Sequence, residues 1–301
     1  MTTWSPRSSL LPDVLGASGS SVILLGLISA LAWGAGDFGG GTLARRAPLL
    51  GVVLGTQVVG LVLALAIGLG RGETFPQGAD LGWAVAAGVA GVVGISSLYR
   101  GLAVGRMGVV APTTGVLAAV IPVVVGFVTE GIPDRMVVVG IVVALVAVVL
   151  VTRAPGHVDD DRPSGIWWAL LGGTMIGLFN VCVGQFSGDG ALLPLVVVRL
   201  VQSLLLVAAI VVLRQPWRMS TDLVPKLVIV GVLDMVGNAA FILAAQTGQL
   251  AIAAVLSSLY PVTTVILAIT ILRERVTRSH LVGIALTALA IVLIGLGSAT
   301  L

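Results

Sequence analysis

Asp37 is a carboxylate within the stretch WGAGDFGGG at residues 33–41. Gly34, Gly36 and Gly39 fit the spacing G-x-G-x-x-G, which binds the phosphates of a dinucleotide when it joins a strand to a helix. The same stretch also fits the inside of a membrane helix, where a carboxylate is a candidate site for a proton or a cation. The elements around Asp37 must decide between these two chemistries.

Arg199 and Asp234 are two further charges inside long apolar runs. With a rise of about 1.5 Å per residue, they would lie about 8 Å apart in depth on antiparallel helices. An arginine side chain spans that gap, so we expect the two groups to interact directly or through water. The pair is either architectural or part of a functional site, and the sequence leaves both interpretations open.

Composition identifies the environment of these charges. The chain is 57% hydrophobic and 10% charged, with a mean hydropathy of +1.14. Soluble domains are about 25% charged, so this chain is predicted to be a polytopic membrane protein. Basic residues form no patch interleaved with aromatics, so nucleic acid is not an expected partner. Cys182 is the single cysteine, and His157 and His280 have no metal-ligand spacing, so neither a metal nor a cofactor is expected.

Apolar segments of about 20 residues, the length of a transmembrane helix, recur along the chain. We predict an all-α membrane protein with ten transmembrane helices around a central cavity. The predicted spans are 21–43, 50–69, 81–105, 108–129, 135–152, 166–187, 192–213, 227–246, 249–271 and 280–299. Because no strand precedes the glycines at Asp37, the dinucleotide interpretation fails.

The two halves of the chain resemble each other. VLAAVIP at 116–122 matches VLSSLYP at 255–261, and VGIVVALVAVVL at 139–150 matches VGIALTALAIVL at 282–293. Each half holds five predicted helices, and an odd number inverts the second half relative to the first. This arrangement is the inverted-topology repeat of many secondary transporters.

The repeat sets the predicted domain boundaries. A polar tail covers 1–20, the first five-helix repeat 21–154, a polar linker 155–165 and the second repeat 166–301. The tail lacks the apolar core and cleavage site of a signal peptide. The repeat also pairs Asp37 with Asn180, so both halves keep a polar group there but only one keeps a charge.

Polar and aromatic residues within the predicted helices form the candidate substrate path. They are Trp33, Asp37, Ser97, Tyr99, Arg100, Thr113, Thr114, Asn180, Arg199, Gln202, Asp234, Asn238, Gln246, Ser257, Ser258 and Tyr260. Tyr99 and Arg100 fit an interfacial anchor equally well. The hydroxyl groups beside the prolines also fit hydrogen bonds back to their own helix.

Prolines and acidic residues near helix ends form a second group. Symmetric proline-interrupted helices are a pointer to the binding site of a transporter. We predict helix breaks or gating positions at Pro112, Pro122, Pro261, Glu130 and Glu274. The two glutamates are expected to hold position or to gate, and not to bind substrate.

The run at 248–296 resembles the signature of the drug/metabolite transporter superfamily, in its EamA-type branch. The matching features are the small-residue helix, Pro261, Glu274 followed by a short basic turn, and the helix of Gly283. The first half matches more weakly through Pro122. The resemblance implies a ten-helix carrier with a cavity between the two repeats, and it leaves the substrate open.

The predicted function is secondary active transport of a small metabolite by alternating access. The resemblance favours export of an amino acid or a related compound across the plasma membrane. No G-x-x-x-x-G-K-[ST] loop is present, so a gradient or exchange would supply the energy, with Asp37 and Asp234 as candidates for proton coupling. A monomer holds both repeats, which does not forbid a homodimer.

Two other functions are weighed against this one. A multidrug or lipid-type carrier would share the fold and differ in cargo. A membrane enzyme acting on a lipid-linked substrate would need an acidic metal cluster, and the candidate at 159–161 lies in the linker, where a solvated charge run is the simpler interpretation.

Charge also predicts orientation. Of the sixteen Lys and Arg residues, Arg7, Arg71 and Arg135 lie on the side of the tail, and Arg199 lies inside a helix. The remaining twelve lie on the opposite side. The positive-inside rule therefore places both termini outside the cytoplasm, whereas the superfamily resemblance favours cytoplasmic termini.

Overall fold

The computed structural model describes residues 18–44, 46–104, 107–152, 165–186, 190–271 and 278–298. These segments are helical apart from short connections, which confirms the all-α class. The helices are α1 Ser18–Ala44, α2 Leu49–Gly70, α3 Gly78–Val104, α4 Met107–Thr129, α5 Arg135–Thr152, α6 Ile166–Gly184, α7 Leu192–Leu213, α8 Val224–Ala245, α9 Leu250–Ser257, α10 Tyr260–Ile271 and α11 Arg278–Ser298, with a 3₁₀ turn at Thr221–Leu223. Most of the predicted tail and linker lies outside the described residues.

Within the described residues, six segments are long and apolar enough to cross a membrane. They belong to α1, α2, α3, α6, α7 and α8, and shorter apolar helices make up the remaining predicted spans. Apolar side chains face outward along these helices, as with Leu31, Val211 and Val212, each at least 60% exposed. A helix that is apolar on all sides suits a lipid environment.

One predicted span is divided in the structure. The helix expected over 249–271 consists of α9 and α10, with the break at Ser258 and Leu259. Pro261 explains the break, because proline has no N–H and its ring clashes with the carbonyl four residues earlier, that of Ser257. All eight residues of α9 are buried, so this short helix lies at the centre of the bundle.

The corresponding helix of the first half is not interrupted. α4 continues through Pro112 and Pro122, which corrects the expectation of symmetric breaks. Pro122 leaves the carbonyl of Ala118 without its intrahelical donor. The side-chain amide of Asn180 on α6 donates to that carbonyl at 3.4 Å. A neighbouring helix therefore supplies the missing bond, which allows a membrane helix to continue past a proline.

The helices pack through small residues at a few tight crossings. A Cβ atom at Gly34 would lie 2.4 Å from the carbonyl oxygen of Tyr260, so α1 meets the start of α10 with no room for a side chain. A Cβ atom at Gly36 or Gly40 would lie 3.6 Å or more from its neighbours. The close approaches in WGAGDFGGG are therefore made by Gly34 and by Gly39, whose Cβ atom would lie 2.7 Å from Cγ2 of Val230, and not by the Gly36/Gly40 pair that the small-xxx-small spacing suggests.

Candidate functional site

A cavity of ≈ 150 Å³ lies near the middle of the bundle, where α1, α3, α6, α7 and α8 meet the break between α9 and α10. Its polar lining consists of Asp37, Gln57, Asn180, Arg199, Gln202, Asp234, Asn238 and Ser258. Trp33, Phe179 and Tyr260 give it aromatic walls. It therefore brings charges, amides and aromatic rings together in one cavity.

Arg199 and Asp234 form an ion pair at the wall of the cavity. The guanidinium Nη2 lies 2.5 Å from Oδ2 of Asp234, which confirms the direct interaction expected from their depths. The arginine side chain is 3% exposed, and the aspartate side chain is 31% exposed. The arginine is thus buried behind its partner, while the aspartate faces the open space.

Amide side chains complete the surroundings of this pair. Nη1 of Arg199 donates to Oε1 of Gln57 and to Oε1 of Gln202, the latter at 3.3 Å. Nδ2 of Asn238 donates to the carboxylate of Asp234 at 3.2 Å and to its backbone carbonyl at 2.7 Å. The two Nη groups of Arg199 thereby bind acceptors on α2, α7 and α8, which links these helices, whereas its Nε is buried and has no hydrogen-bond partner among the described residues.

Asp37 differs from Asp234 in having no such partners. Its side chain is exposed to the cavity, and it makes no hydrogen bond or ion pair with the described residues. A second cavity of ≈ 70 Å³ shares Asp37 and Asp234 with the first. This smaller cavity extends toward the end of the bundle where α1 ends and α2 and α8 begin. Both carboxylates therefore lie where the two cavities meet.

The aromatic walls stand at an angle to each other. The ring centroids of Trp33 and Tyr260 are 6.4 Å apart, and the ring planes are nearly perpendicular, at 88°. Phe241 packs against Trp33 with a distance of 5.7 Å between ring centroids. Trp33 and Asp37 are one helical turn apart on α1, so the ring and the carboxylate share one face of that helix.

A comparison with models of known protein families finds a match. The profile of the EamA-like transporter family matches residues 163–296. Residues 163–296 are thus similar to the EamA-like transporter family over somewhat less than half of the chain. This match agrees with the resemblance found in the sequence, and the family it identifies is one of membrane transporters of the drug/metabolite type. Members of this family are transporters and not enzymes.

The fold as a whole also has solved counterparts. A crystal structure titled only as that of a protein matches with a TM-score of 0.74 at 18% identity, over 93% of this chain and 98% of its own. At this identity the likeness concerns the fold alone. A search among curated proteins found no significant match.

The two halves of the chain bring most of the predicted charged and amide residues together. Asp37, Asn180, Arg199, Asp234 and Asn238 all line the central cavity. Trp33, Gln202, Ser258 and Tyr260 also line it. Ser258 uses its hydroxyl to donate back to the carbonyl of Val255 at 2.7 Å.

Several predicted path residues do not line the cavity. Ser97 and Ser257 are buried in packing, and Arg100 is exposed. Thr114 donates to the carbonyl of Ala169 at 3.3 Å, which joins α4 to α6. The remaining ones are Thr113, which is half-buried, Gln246, which donates to the carbonyl of Phe186 at 3.5 Å, and Tyr99, whose side chain lies outside the described residues.

Of the two interpretations left open for the polar cluster on α3, the exposed position of Arg100 favours the interfacial anchor over a contact with substrate. α3 presents Gly91, Ile95 and Leu98 to the cavity, which is a different face from that of Ser97 and Arg100. A helix turns about 100° per residue, so a cluster of consecutive polar residues cannot share one face. Close packing of α3 on α6 and α7 decides which face turns inward.

Glu130 lies at the opposite end of the bundle from the smaller cavity. Both of its carboxylate oxygens accept the backbone N–H of Leu250, at 2.8 and 3.0 Å, at the start of α9. Burial raises the pKa of Glu130 above its usual value, and the N–H groups of Leu250 and Ala251 oppose that rise. This contact supports the positional role predicted for Glu130, whereas Glu274 lies outside the described residues.

Sequence reasoning missed Gln57, whose amide binds Arg199. Gln57 is the only amide in α2 and is 8% exposed. A lone amide in an otherwise apolar helix is a readable signal. Ile95, Leu98, Ile176 and Phe179 gave none, because apolar residues facing a cavity and apolar residues facing lipid look alike in sequence.

The described residues were also compared with the side-chain clusters that bind metal ions. Within the described residues, no group of three or more His, Cys, Asp and Glu side chains could hold an ion. Cys182 is buried in α6.

Proposed function

We propose that this chain is a secondary active transporter that moves a small polar metabolite through the central cavity by alternating access. The observation that carries this proposal is the unpaired carboxylate of Asp37 beside the Arg199–Asp234 pair, in a cavity within the bundle at a helix break. Ionisable groups within a membrane helix cost about 2.5–3.5 kcal/mol each and are typical of substrate and ion pathways.

The proposed architecture is a pair of inverted five-helix repeats within ten membrane spans, α9 and α10 counting as one. The helix contacts support it when α1–α5 are matched with α6–α11 in order. The contact of α1 with α8 then corresponds to that of α6 with α3, and that of α2 with α8 corresponds to that of α7 with α3. Contacts of α1 with α9 and α10 correspond to that of α6 with α4. This pattern is expected of a pseudo-two-fold axis that relates two repeats.

The proposed energy source is an ion gradient, with Asp37 and Asp234 as proton-binding groups. Their position where the two cavities meet supports this role, because water in the smaller cavity would connect them to one end of the bundle. A proton on Asp37 would remove an uncompensated charge from the membrane interior, which favours reorientation of the empty carrier.

The proposed cargo is a small metabolite such as an amino acid or a related compound, and export across the plasma membrane is the favoured direction. Family likeness supports the direction and the membrane. The volume of the cavity supports the size, since a cavity of about 150 Å³ holds a molecule such as benzene and is too small for a lipid. One chain carries all the lining residues, so a monomer is sufficient for the path.

Transport in proteoliposomes tests the proposal. The purified full chain would be reconstituted, and the flux of labelled amino acids and amines measured with and without a pH gradient. We expect gradient-driven flux that Asp37→Asn reduces at least tenfold and makes insensitive to the gradient. Asp134→Asn is the matched control, because Asp134 is exposed and its Oδ1 bond to the N–H of Met136 survives the change. Absence of flux for every compound under every gradient would contradict the proposal.

A further inference from the structure

The charges of the central cavity do not balance. Of the lining residues in the described part of the chain, Asp37 and Asp234 are acidic and Arg199 is basic. With the carboxylates ionised, the cavity therefore carries one negative charge more than positive ones. An uncompensated negative charge inside a membrane costs several kcal/mol of free energy, and a bound cation would reduce that cost.

Arg199 is not free to bind an anionic group of a cargo. Its guanidinium already donates to Asp234, Gln57 and Gln202, and only 2% of the residue is exposed. A Cβ atom at Gly60 would lie 3.2 Å from its Nε, so helix α2 covers the remaining edge. A cargo carboxylate that reached Arg199 would have to displace Asp234, which would only exchange one anion for another.

Not every amide donor of the cavity is engaged. Asn238 donates to the carboxylate and the carbonyl of Asp234, and Asn180 donates to the carbonyl of Ala118, which Pro122 has deprived of its own donor. Gln57 and Gln202 accept from Arg199 through Oε1, which leaves their Nε2 groups available. A zwitterion carries no net charge and would leave the excess negative charge of the cavity in place, whereas a monocation would neutralise it.

The surroundings of Asp37 suit a cation with an apolar body. Trp33 lies one turn away on the same face of α1, and its ring meets that of Tyr260 at 88°. The two rings meet edge to face with their centroids 6.4 Å apart, and an ammonium group beside Asp37 that reached the ring surface left open to the cavity would gain about 0.5–2 kcal/mol. Phe179, Ile95 and Leu98 supply apolar surface on the other walls.

We infer that the cargo of this cavity is a small organic monocation, an amine with an apolar body of about the size of benzene and no carboxylate. The ammonium group pairs with Asp37 beside Trp33 and Tyr260, and the apolar body occupies the remaining volume. This inference rests on the proposed transport function and favours amines over amino acids as the related compounds that it carries.

Three compounds of one shape and different charge test the inference. Benzylamine, benzyl alcohol and benzoate share the phenyl ring and carry a positive charge, no charge and a negative charge at mildly alkaline pH. Binding of labelled benzylamine to the purified full chain in detergent would be measured, with the other two as competitors. We expect benzylamine to bind about tenfold or more tightly than benzyl alcohol, a difference of about 1.4 kcal/mol, and benzoate to compete least.

Variants identify the group that selects the charge. Asp37→Asn keeps the size of the side chain and should weaken benzylamine binding about tenfold, with benzyl alcohol unchanged. Trp33→Leu should weaken benzylamine more than benzyl alcohol. Asp134→Asn, which removes one exposed negative charge far from the cavity, should change neither affinity.

The outcomes separate this inference from the transport proposal. Equal or tighter binding of benzoate, no binding of any of the three, or an unchanged preference in Asp37→Asn would overturn the cation site, while flux of amino acids in proteoliposomes would leave the transporter standing. Selective binding of benzylamine without flux under any gradient would leave the site standing and overturn the transporter.

Discussion

At the level of single residues, the chemistry of the cavity depends on which charges already have partners. Arg199 has an acidic partner and two amide partners, and Asp234 is held by Arg199 and Asn238. Asp37 has none among the described residues. The ion pair of Arg199 and Asp234 therefore links α7 to α8, and Asp37 is the group most open to exchange a proton or a cargo.

A single and a double variant test whether the ion pair of Arg199 and Asp234 has a role beyond holding the helices together. Asp234→Asn leaves the guanidinium of Arg199 buried without a counter-charge, and loss of one partner of a buried pair costs about 3–5 kcal/mol. We expect a lower thermal unfolding midpoint in detergent. The double variant Arg199→Gln/Asp234→Asn removes both charges and should recover most of that loss.

Transport distinguishes the two roles of the pair. A purely architectural pair would let the double variant transport normally once its stability is restored. We expect the double variant to be folded and inactive, since Asp234 faces the cavity with a side chain that is 31% exposed. A double variant no more stable than Asp234→Asn would show that the charges do not compensate each other.

At the level of the elements, the break between α9 and α10 is held in place by α1. Gly34 meets the carbonyl oxygen of Tyr260, and the carbonyl of Gly34 accepts the hydroxyl of Thr264 at 3.0 Å. Tyr260 and Ser258 reach the cavity because the chain turns out of the helix at this point. The contact of α1 with α10 therefore shapes the wall of the site.

Two glycine-to-alanine variants, one at Gly34 and a control at Gly82, measure how much the contact of α1 with α10 contributes to the stability of the fold. In Gly34→Ala the new Cβ atom would lie 2.4 Å from the carbonyl oxygen of Tyr260 and 2.4 Å from the Cβ atom of Thr263. Backbone atoms cannot yield as a flexible side chain does, so we expect a loss of about 1–3 kcal/mol, the usual cost of overpacking.

Gly82→Ala on α3 is the matched control. No atom lies within 4 Å of the Cβ position at Gly82, and alanine is the better helix former by about 0.5–1 kcal/mol. The thermal midpoints of the two variants should shift in opposite directions. A midpoint of Gly34→Ala equal to that of the unchanged chain would mean that α1 and α10 separate without cost.

The elements were far easier to predict than the faces they present. Apolar runs of membrane length placed the helices within a few residues, since the bilayer fixes length and composition. The polar residues Ser97 and Arg100 indicated the wrong face of α3 for the cavity, because nearly every side of that helix is apolar. Proline was also an ambiguous signal. Pro261 ends a helix, whereas Asn180 donates to the carbonyl that Pro122 leaves free, and only tertiary contacts distinguish the two cases.

At the level of the whole molecule, the helix order places alternate connections at opposite ends of the bundle. The connection of Arg71 and Thr74, between α2 and α3, lies at one end, and the connection of Gln215, between α7 and α8, lies at the other. The smaller cavity extends toward the end at which Gln215 lies, since α8 begins there. Orientation in the membrane therefore decides which compartment reaches Asp37.

Cysteine labelling determines this orientation. Cys182 is the single cysteine and is buried, so Cys182→Ala gives a background without reactive thiols at little cost in packing. Thr74→Cys and Gln215→Cys then place one thiol at each end, at positions that are both exposed. The positive-inside rule predicts that a membrane-impermeant maleimide labels Thr74→Cys on intact cells and labels Gln215→Cys only after permeabilisation. Under this orientation the smaller cavity connects Asp37 with the cytoplasm, as loading of an exporter requires, and the reverse labelling pattern would make the described conformation one that opens to the outside.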